Sequence, residues 1–387
     1  MPGPTCDTIR YLWGWNRGRG IPEWEPADDT FAGQPRIPVP GVRVEDLPIG
    51  NGSPELRARR YRPARGAARA PGWVLLHGAT RPGPDHPAIV RLAAALAHSG
   101  AVVLVPDIPA WRRLELDPAP ARTALSQAAR HMCRDPRIRP GGVVLVGLSF
   151  GVPQVLRTGA RLARTGLVRG LGGFGSYCHL DDAIRFGLTG RFRLRGTIEY
   201  LRPDPYGRWV VAANYLHRIP GYEEAVCVSG ALHRLATIAG ERRIMAWDSG
   251  YDSVKDDLAR SLARTWRPLF RLFAPPSDRE PEPEPARRMA HLLADAARRT
   301  HPDLELPRDF GDSPPPPIRL LHGRRDHLIP FTETLALERL LRRPADVSAT
   351  VTDLFAHSGE TGGTSVRLRE SHRLFAGLKA MLALQRR

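Results

Sequence analysis

From Val42 onward, short continuous apolar runs alternate with stretches whose apolar residues recur every three or four positions. Trp73–Leu76, Ala101–Val105, Val143–Val146 and Ile318–Leu321 are strand-length and uninterrupted, the mark of strands buried on both faces. Val42–Leu47 and Glu55–Tyr61 read as a strand pair around Gly50-Asn51-Gly52, and Val347–Thr352 as the last strand. His86–His98 carries Ile89, Leu92, Ala93 and Leu96 at helical spacing and stops at Gly100. Arg122–Cys133, Phe150–Arg164, Thr332–Arg342 and Ser365–Leu384 also read as helices. Strands alternating with helices predict an α/β fold with a mostly parallel, doubly wound sheet.

The alternation breaks between Thr189 and Asp312. Tyr206–His217, Tyr222–Ala239, Val254–Phe273 and Ala286–Arg299 read as helices there, separated by the Pro-rich stretches Ala274–Pro285 and Ser313–Pro317. The first holds Glu280, Glu282 and Glu284 between prolines and reads as an exposed, extended linker. The predicted organisation is an irregular N-terminal arm over 1–36, packed through Trp13, Trp15 and Trp24, a first core segment over 37–188, a helical insertion over 189–312, and a second core segment over 313–387.

Composition narrows the partners. With 42% apolar residues in 387, the chain can bury a large core. No apolar run approaches the roughly 18–20 residues that span a bilayer. No basic segment followed by an apolar one opens the chain, so a cytoplasmic protein with no membrane partner is expected. The net charge is +17, but of 57 basic residues only Lys255 and Lys379 are lysines. The arginines are scattered, without a dense block, so a solvated surface is expected and nucleic acid is not. Cys6, Cys133, Cys178 and Cys227 are widely spaced; reduced packing thiols are expected and a metal site is not.

The candidate chemistry centres on Gly147-Leu148-Ser149-Phe150-Gly151, which follows a buried strand directly and opens a helix. G-x-S-x-G in that setting is a nucleophile elbow, a turn so tight that only glycine fits two residues either side of the serine. The helix N-terminus behind it favours developing negative charge. A serine needs a base and the base an orienting acid. After Ser149, Asp326 stands in the loop beyond one strand and His357 in the loop beyond the next, both at carboxyl ends of strands, where open α/β sheets place their sites. For the oxyanion, the expected donors are the backbone N–H groups of Phe150 and of Ala79 in His77-Gly78-Ala79-Thr80. Thr80 and Leu148 are expected to touch substrate. His322, His327 and His372 are the rival bases; Asp353, Asp181 and Asp182 are the rival acids.

These residues resemble the α/β-hydrolase superfamily over about 42–187 and 314–385. The resemblance rests on His77-Gly78, the Gly147–Gly151 elbow, Gly323-x-x-Asp326 with Leu328-Ile329-Pro330, and His357-Ser358. Val105-Pro106-Asp107 is similar to esterase and dienelactone-hydrolase-like members, although Ser149 stands where the latter carry cysteine, and Val152-Pro153 depart from the peptidase pattern. The resemblance implies acyl-enzyme chemistry on esters, thioesters or amides without a cofactor, and makes the 189–312 insertion a cap between strands six and seven. Trp209, Tyr215, Trp247, Tyr251 and Trp266 could line a pocket under it. A small-molecule acyl substrate and carboxylic-ester hydrolysis are expected. Acyl transfer, peptide hydrolysis and a catalytically silent binding role are the alternatives.

Overall fold

A computed structural model of the chain describes residues 8, 11, 40–50, 56–65, 69–242, 244–306, 314–343, 345–354 and 364–386. The three expected tryptophans of the arm lie outside these residues.

Eight strands form one sheet: β1 (Val42–Ile49), β2 (Leu56–Pro63), β3 (Gly72–Leu76), β4 (Val102–Pro106), β5 (Val143–Leu148), β6 (Val168–Phe174), β9 (Ile318–Gly323) and β10 (Val347–Thr352). Their spatial order is β1-β2-β4-β3-β5-β6-β9-β10. The pairs β1/β2 and β2/β4 are antiparallel and the rest parallel. β3, β4 and β5 are almost wholly buried, as their uninterrupted apolar runs require.

Helices cover both faces. α1 (Pro87–His98) and α12 (Thr364–Ala383) share one core with Trp73, Leu75, Val103 and Val146. α3 (Ala119–Arg134), α4 (Gly151–Ala163) and α11 (Phe331–Leu341) share the other with Val74, Leu104, Leu145 and Leu320. α2 is a single turn at Pro109–Arg112. Strand alternation sends Trp73 and Leu75 to one face and Val74 to the other.

Between β6 and β9 stand α5 (Leu180–Thr189), the hairpin β7 (Arg191–Leu194) and β8 (Thr197–Tyr200), and five helices: α6 (Pro205–Tyr215), α7 (Val226–Glu241), α8 (Asp252–Ser261), α9 (Arg267–Phe273) and α10 (Pro283–Thr300). They enclose a third apolar core, built around Trp209, Leu232, Phe270, Phe273 and Leu293. This helical insertion, the segment expected as a cap, lies between the sixth and seventh strands of the sheet. The structure departs from the sequence expectation here, and Ala274, Pro275 and Pro281 of the stretch expected as an exposed linker are buried. The helix expected over Val254–Phe273 breaks at Leu262-Ala263, and the hairpin has no counterpart in the expected elements. Among the described residues no helix is long and apolar enough to cross a membrane.

Candidate active site

β5 runs into α4 through Ser149, whose φ is +49°, a conformation that side-chain-bearing residues rarely adopt. The Ser149 N–H donates to the Phe174 carbonyl of β6 at 2.8 Å, and its carbonyl accepts from the Val152 N–H at 3.0 Å. Space explains the flanking glycines. A Cβ on Gly147 would lie 2.7 Å from the Gly151 carbonyl carbon and the Val152 Cα. One on Gly151 would lie 2.9 Å from the His77 carbonyl oxygen. Backbone cannot yield as a flexible side chain can, so both positions require glycine.

The loop after β3 lies directly on this turn. A Cβ on Gly78 would meet the Leu148 carbonyl at 3.3 Å, the Ser149 Cβ at 3.5 Å and the Phe150 nitrogen at 3.9 Å. Ala79, Thr80, Leu148, Ser149 and Phe150 are all partly exposed, and Ala79 and Phe150 pack at the seam between the cap core and a sheet core. Buried His77 holds the loop's shape. Its Nδ1–H donates to the Gly78 carbonyl at 2.7 Å, leaving Nε2 to accept the Ile108 N–H at 3.2 Å. Burial pulls its pKa down to about 4, so the imidazole is neutral and serves as a brace. Trp111 meets both His77 and Phe150 edge-on.

Asp326 lies in the turn between β9 and α11 and is 1% exposed. Its Oδ1 accepts the N–H groups of Leu328 and Ile329 at 2.9 and 3.1 Å. Its Oδ2 lies 3.1 Å from Nε2 of His322, itself fully buried. His322 Nε2 also faces the Ile329 carbonyl at 3.0 Å, so that nitrogen carries hydrogen. Its Nδ1 is 2.6 Å from Thr334 Oγ1, which in turn donates to the Ser176 carbonyl. The sequence alone makes His322 a strand-end residue; in the structure it is also the neighbour of Asp326.

His357 lies outside the described residues. The described chain that precedes it is held beside the turn that carries Asp326. The Arg324 N–H donates to the Thr352 carbonyl, Arg324 Nε pairs with Asp353 at 3.3 Å, and the Asp353 N–H donates to Glu370 of α12 at 2.9 Å. Three of the other rivals have partners of their own, and one is exposed. Asp181 pairs with Arg298, Asp182 with Arg185, and His372 is exposed. His327 Nδ1 contacts the Arg202 carbonyl and its ring meets Trp247.

The insertion bonds to both loops. The Asp204 N–H donates to the His327 carbonyl. Arg81, next to Thr80, pairs with Glu241 of α7 at 3.0 Å. Asn214 and Tyr215 of α6 bond to Leu114 and Leu116. Leu328 and Ile329 of the acid loop join the cap core. Trp209, Tyr215 and Tyr251 prove to be interior cap residues, at most 1% exposed, and do not line a cleft. Sequence reasoning missed Tyr206, whose hydroxyl is buried without a hydrogen-bond partner. A Cβ on Gly240 would lie 3.4 Å from that oxygen and 2.8 Å from Arg81 Cγ, while one on the residue after the tyrosine, Gly207, would lie 3.3 Å from Leu328. Tyr206 therefore stands between the acid loop and the loop after β3.

Cys178 is buried, whereas Cys133 and Cys227 are exposed and do not serve as packing thiols. His179, Asp182 and Glu333 bring donor atoms within 4.8 Å of one another. Glu333 Oε2 already accepts the N–H groups of Cys178 and His179, at 3.0 and 2.7 Å, and the Glu333 carboxylate raises the His179 pKa. The cluster reads as an ionic clamp at the start of α5.

No family model and no curated protein matches the chain in sequence. Solved structures do match. A Legionella pneumophila protein classed as a hydrolase is 12% identical, with 89% of each chain covered and a TM-score of 0.51. Brefeldin A esterase, a bacterial homologue of human hormone-sensitive lipase, is 17% identical over 99% of this chain and 91% of its own, with a TM-score of 0.44. An esterase of Pyrobaculum calidifontis is 18% identical over 97% and 91%, also at 0.44. Taken with the sheet order and the turn at Ser149, the likeness to the Legionella protein identifies the architecture of this chain as the α/β-hydrolase fold.

Proposed function

We propose that this chain is a serine hydrolase that cleaves a carboxylic ester through an acyl-enzyme on Ser149. The observation that carries the reading is the strained φ of +49° at Ser149, between two glycines that backbone contacts make obligatory. Such strain persists where the surrounding structure over-determines it and is concentrated at functional sites.

In this reading His357 takes the Ser149 hydroxyl proton as Oγ bonds to the ester carbonyl carbon. The carbonyl oxygen becomes an oxyanion and receives the N–H groups of Ala79 and Phe150; losing one such donor costs about 2.7–4 kcal/mol of transition-state stabilisation. The intermediate collapses, the alkoxy bond breaks, and the imidazolium gives its proton to the leaving alcohol. Water repeats the sequence, releasing the acid and restoring Ser149. Asp326 orients the imidazole and stabilises its cation.

Chain reach supports His357. β10 is three strands from β5, about 14 Å at strand spacing. Three residues beyond Leu354 extend up to about 10 Å, and the side chain adds the rest. Leu148 and Thr80 border the acyl group, under the cap. The test is turnover of short p-nitrophenyl esters by the wild type beside Ser149→Ala and His357→Ala. The proposal requires turnover lost in both folded variants; turnover retained in Ser149→Ala refutes it.

A further inference from the structure

The hairpin β7–β8 presents an unusual surface. Its register pairs Arg191 with Tyr200 and Arg193 with Ile198, so these four side chains share one face. Phe192 and Glu199 lie on the other, where Phe192 packs edge-on against Phe186 and Phe331. On the outer face Ile198 is 64% and Tyr200 58% exposed, two of the most exposed large apolar side chains among the described residues. Arg191 and Arg193 are exposed, and so is Arg195 at the tip. None of these three has an acidic partner among the described residues, although neighbouring arginines do: Arg185 pairs with Asp182, and Arg202 and Arg208 with Glu280.

The tip adds a second peculiarity. Arg195 and Gly196 have φ of +49° and +92°, a two-residue turn in which the first position ordinarily takes Asn, Asp or Gly. An arginine there is held against its conformational preference at the tip of an exposed strand pair. Through Phe192 and Phe331 the hairpin is rooted beside the acid loop, at the carboxyl edge of the sheet.

We propose that this hairpin docks the protein on an anionic lipid surface, with Ile198 and Tyr200 entering the headgroup layer and Arg191, Arg193 and Arg195 pairing with lipid phosphates. Charge complementarity selects the occupant: guanidiniums without acidic partners around an amphipathic aromatic and an aliphatic side chain are the chemistry of interfacial attachment. Nucleic acid fits less well, because Tyr200 alone offers a stacking face and the exposed isoleucine on the same face offers none. The expectation of no membrane partner rests on spanning and leader segments, and peripheral docking needs neither. The inference stands on the hairpin and not on turnover.

The test is co-sedimentation of the full chain with phosphatidylcholine vesicles, with and without phosphatidylglycerol. Binding is expected only with phosphatidylglycerol and is weakened by salt. Each basic residue near such a surface strengthens attachment about fivefold, so the variant Arg191→Gln, Arg193→Gln, Arg195→Asn loses on the order of a hundredfold. Ile198→Ser with Tyr200→Ser also loses binding. A control variant, Arg130→Gln, Arg134→Gln, Arg161→Gln, removes exposed arginines of α3 and α4 and keeps it. Unchanged thermal unfolding establishes that each variant is folded. The proposal is overturned if the wild type ignores anionic vesicles, or if the control loses as much as the hairpin variant, which would assign binding to net charge. It is also overturned if Ile198→Ser with Tyr200→Ser abolishes self-association and leaves vesicle binding intact, which would assign the face to a second copy of the chain.

Discussion

His322 Nε2 stands 3.1 Å from Asp326 Oδ2, and neither side chain is more than 1% exposed. A lone carboxylate at that depth would be costly. Here its two oxygens receive two backbone N–H groups and one imidazole N–H, and the imidazole is itself set by Thr334. The pair fixes the acid loop at the end of β9.

If Asp326 is the orienting acid, His322 positions it. His322→Ala is expected to lower kcat/KM by about 10- to 100-fold, the scale of one lost charge-assisted hydrogen bond, through kcat and not KM. His322→Gln, which keeps an N–H donor, is expected to recover part of the loss. Steady-state kinetics of both variants check this; an unchanged kcat in folded His322→Ala, or no recovery in His322→Gln, would reduce His322 to a packing residue.

Gly147 tests the elbow independently. A Cβ there meets backbone at 2.7 Å, so Gly147→Ala is expected to destabilise by about 1–3 kcal/mol and to displace Ser149, with at least a hundredfold loss of activity. Gly230→Ala is the control, since a Cβ at that α7 position meets nothing within 4 Å; it is expected to stabilise by about 0.4–1 kcal/mol. Denaturant unfolding of both variants decides. An unharmed Gly147→Ala contradicts the close packing described.

The elbow was legible because three signals coincide in a few residues: an apolar run, glycines two positions either side of a serine, and a helix start. Asp326 was legible as a loop acid beyond a strand. Its partner was not, because His322 approaches it only once the chain turns after Gly323, and spacing alone does not distinguish that from a strand-end histidine. The hairpin was illegible because β7 has four residues, alternates arginine with apolar side chains, and turns through Arg195-Gly196, which lacks the usual Asn-Gly signature. Periodicity likewise could not tell that Trp209 and Tyr251 fill the cap core and do not line a pocket.

Two buried groups beside the loop after β3 respond to pH in opposite directions. Burial lowers the His77 pKa to about 4 from 6.5, so as pH falls through that window the unfolded chain takes up a proton that the native state refuses, and stability is lost. Burial raises the Asp107 pKa to about 6 from 3.8, with Arg112 opposing, so the native state takes up its proton first and stability is gained as pH falls from 6. Asp107→Asn removes the second effect. The variant is expected to exceed wild type in unfolding free energy above pH 6, and this advantage shrinks by on the order of 3 kcal/mol as pH falls to 4. Unfolding curves at pH 4, 5, 6 and 7 measure it; a constant difference would contradict the burial of Asp107.

Tyr206 carries a buried hydroxyl without a partner between the acid loop and Arg81. A group left unpaired in this way is suited to a ligand. Tyr206→Phe is expected to leave stability unchanged, because no protein hydrogen bond is lost, and to raise KM about 5- to 10-fold for substrates with a polar acyl chain. Reduced stability at unchanged KM would make it a structural residue.

Everything proposed for the site depends on Ser149 being the nucleophile. Labelling with a fluorophosphonate, followed by peptide mass mapping, examines this without knowledge of the natural substrate. One adduct is expected, on Ser149, forming at least a hundredfold more slowly in His357→Ala. A folded wild-type protein that takes no label, or takes it on another residue, would contradict the assignment.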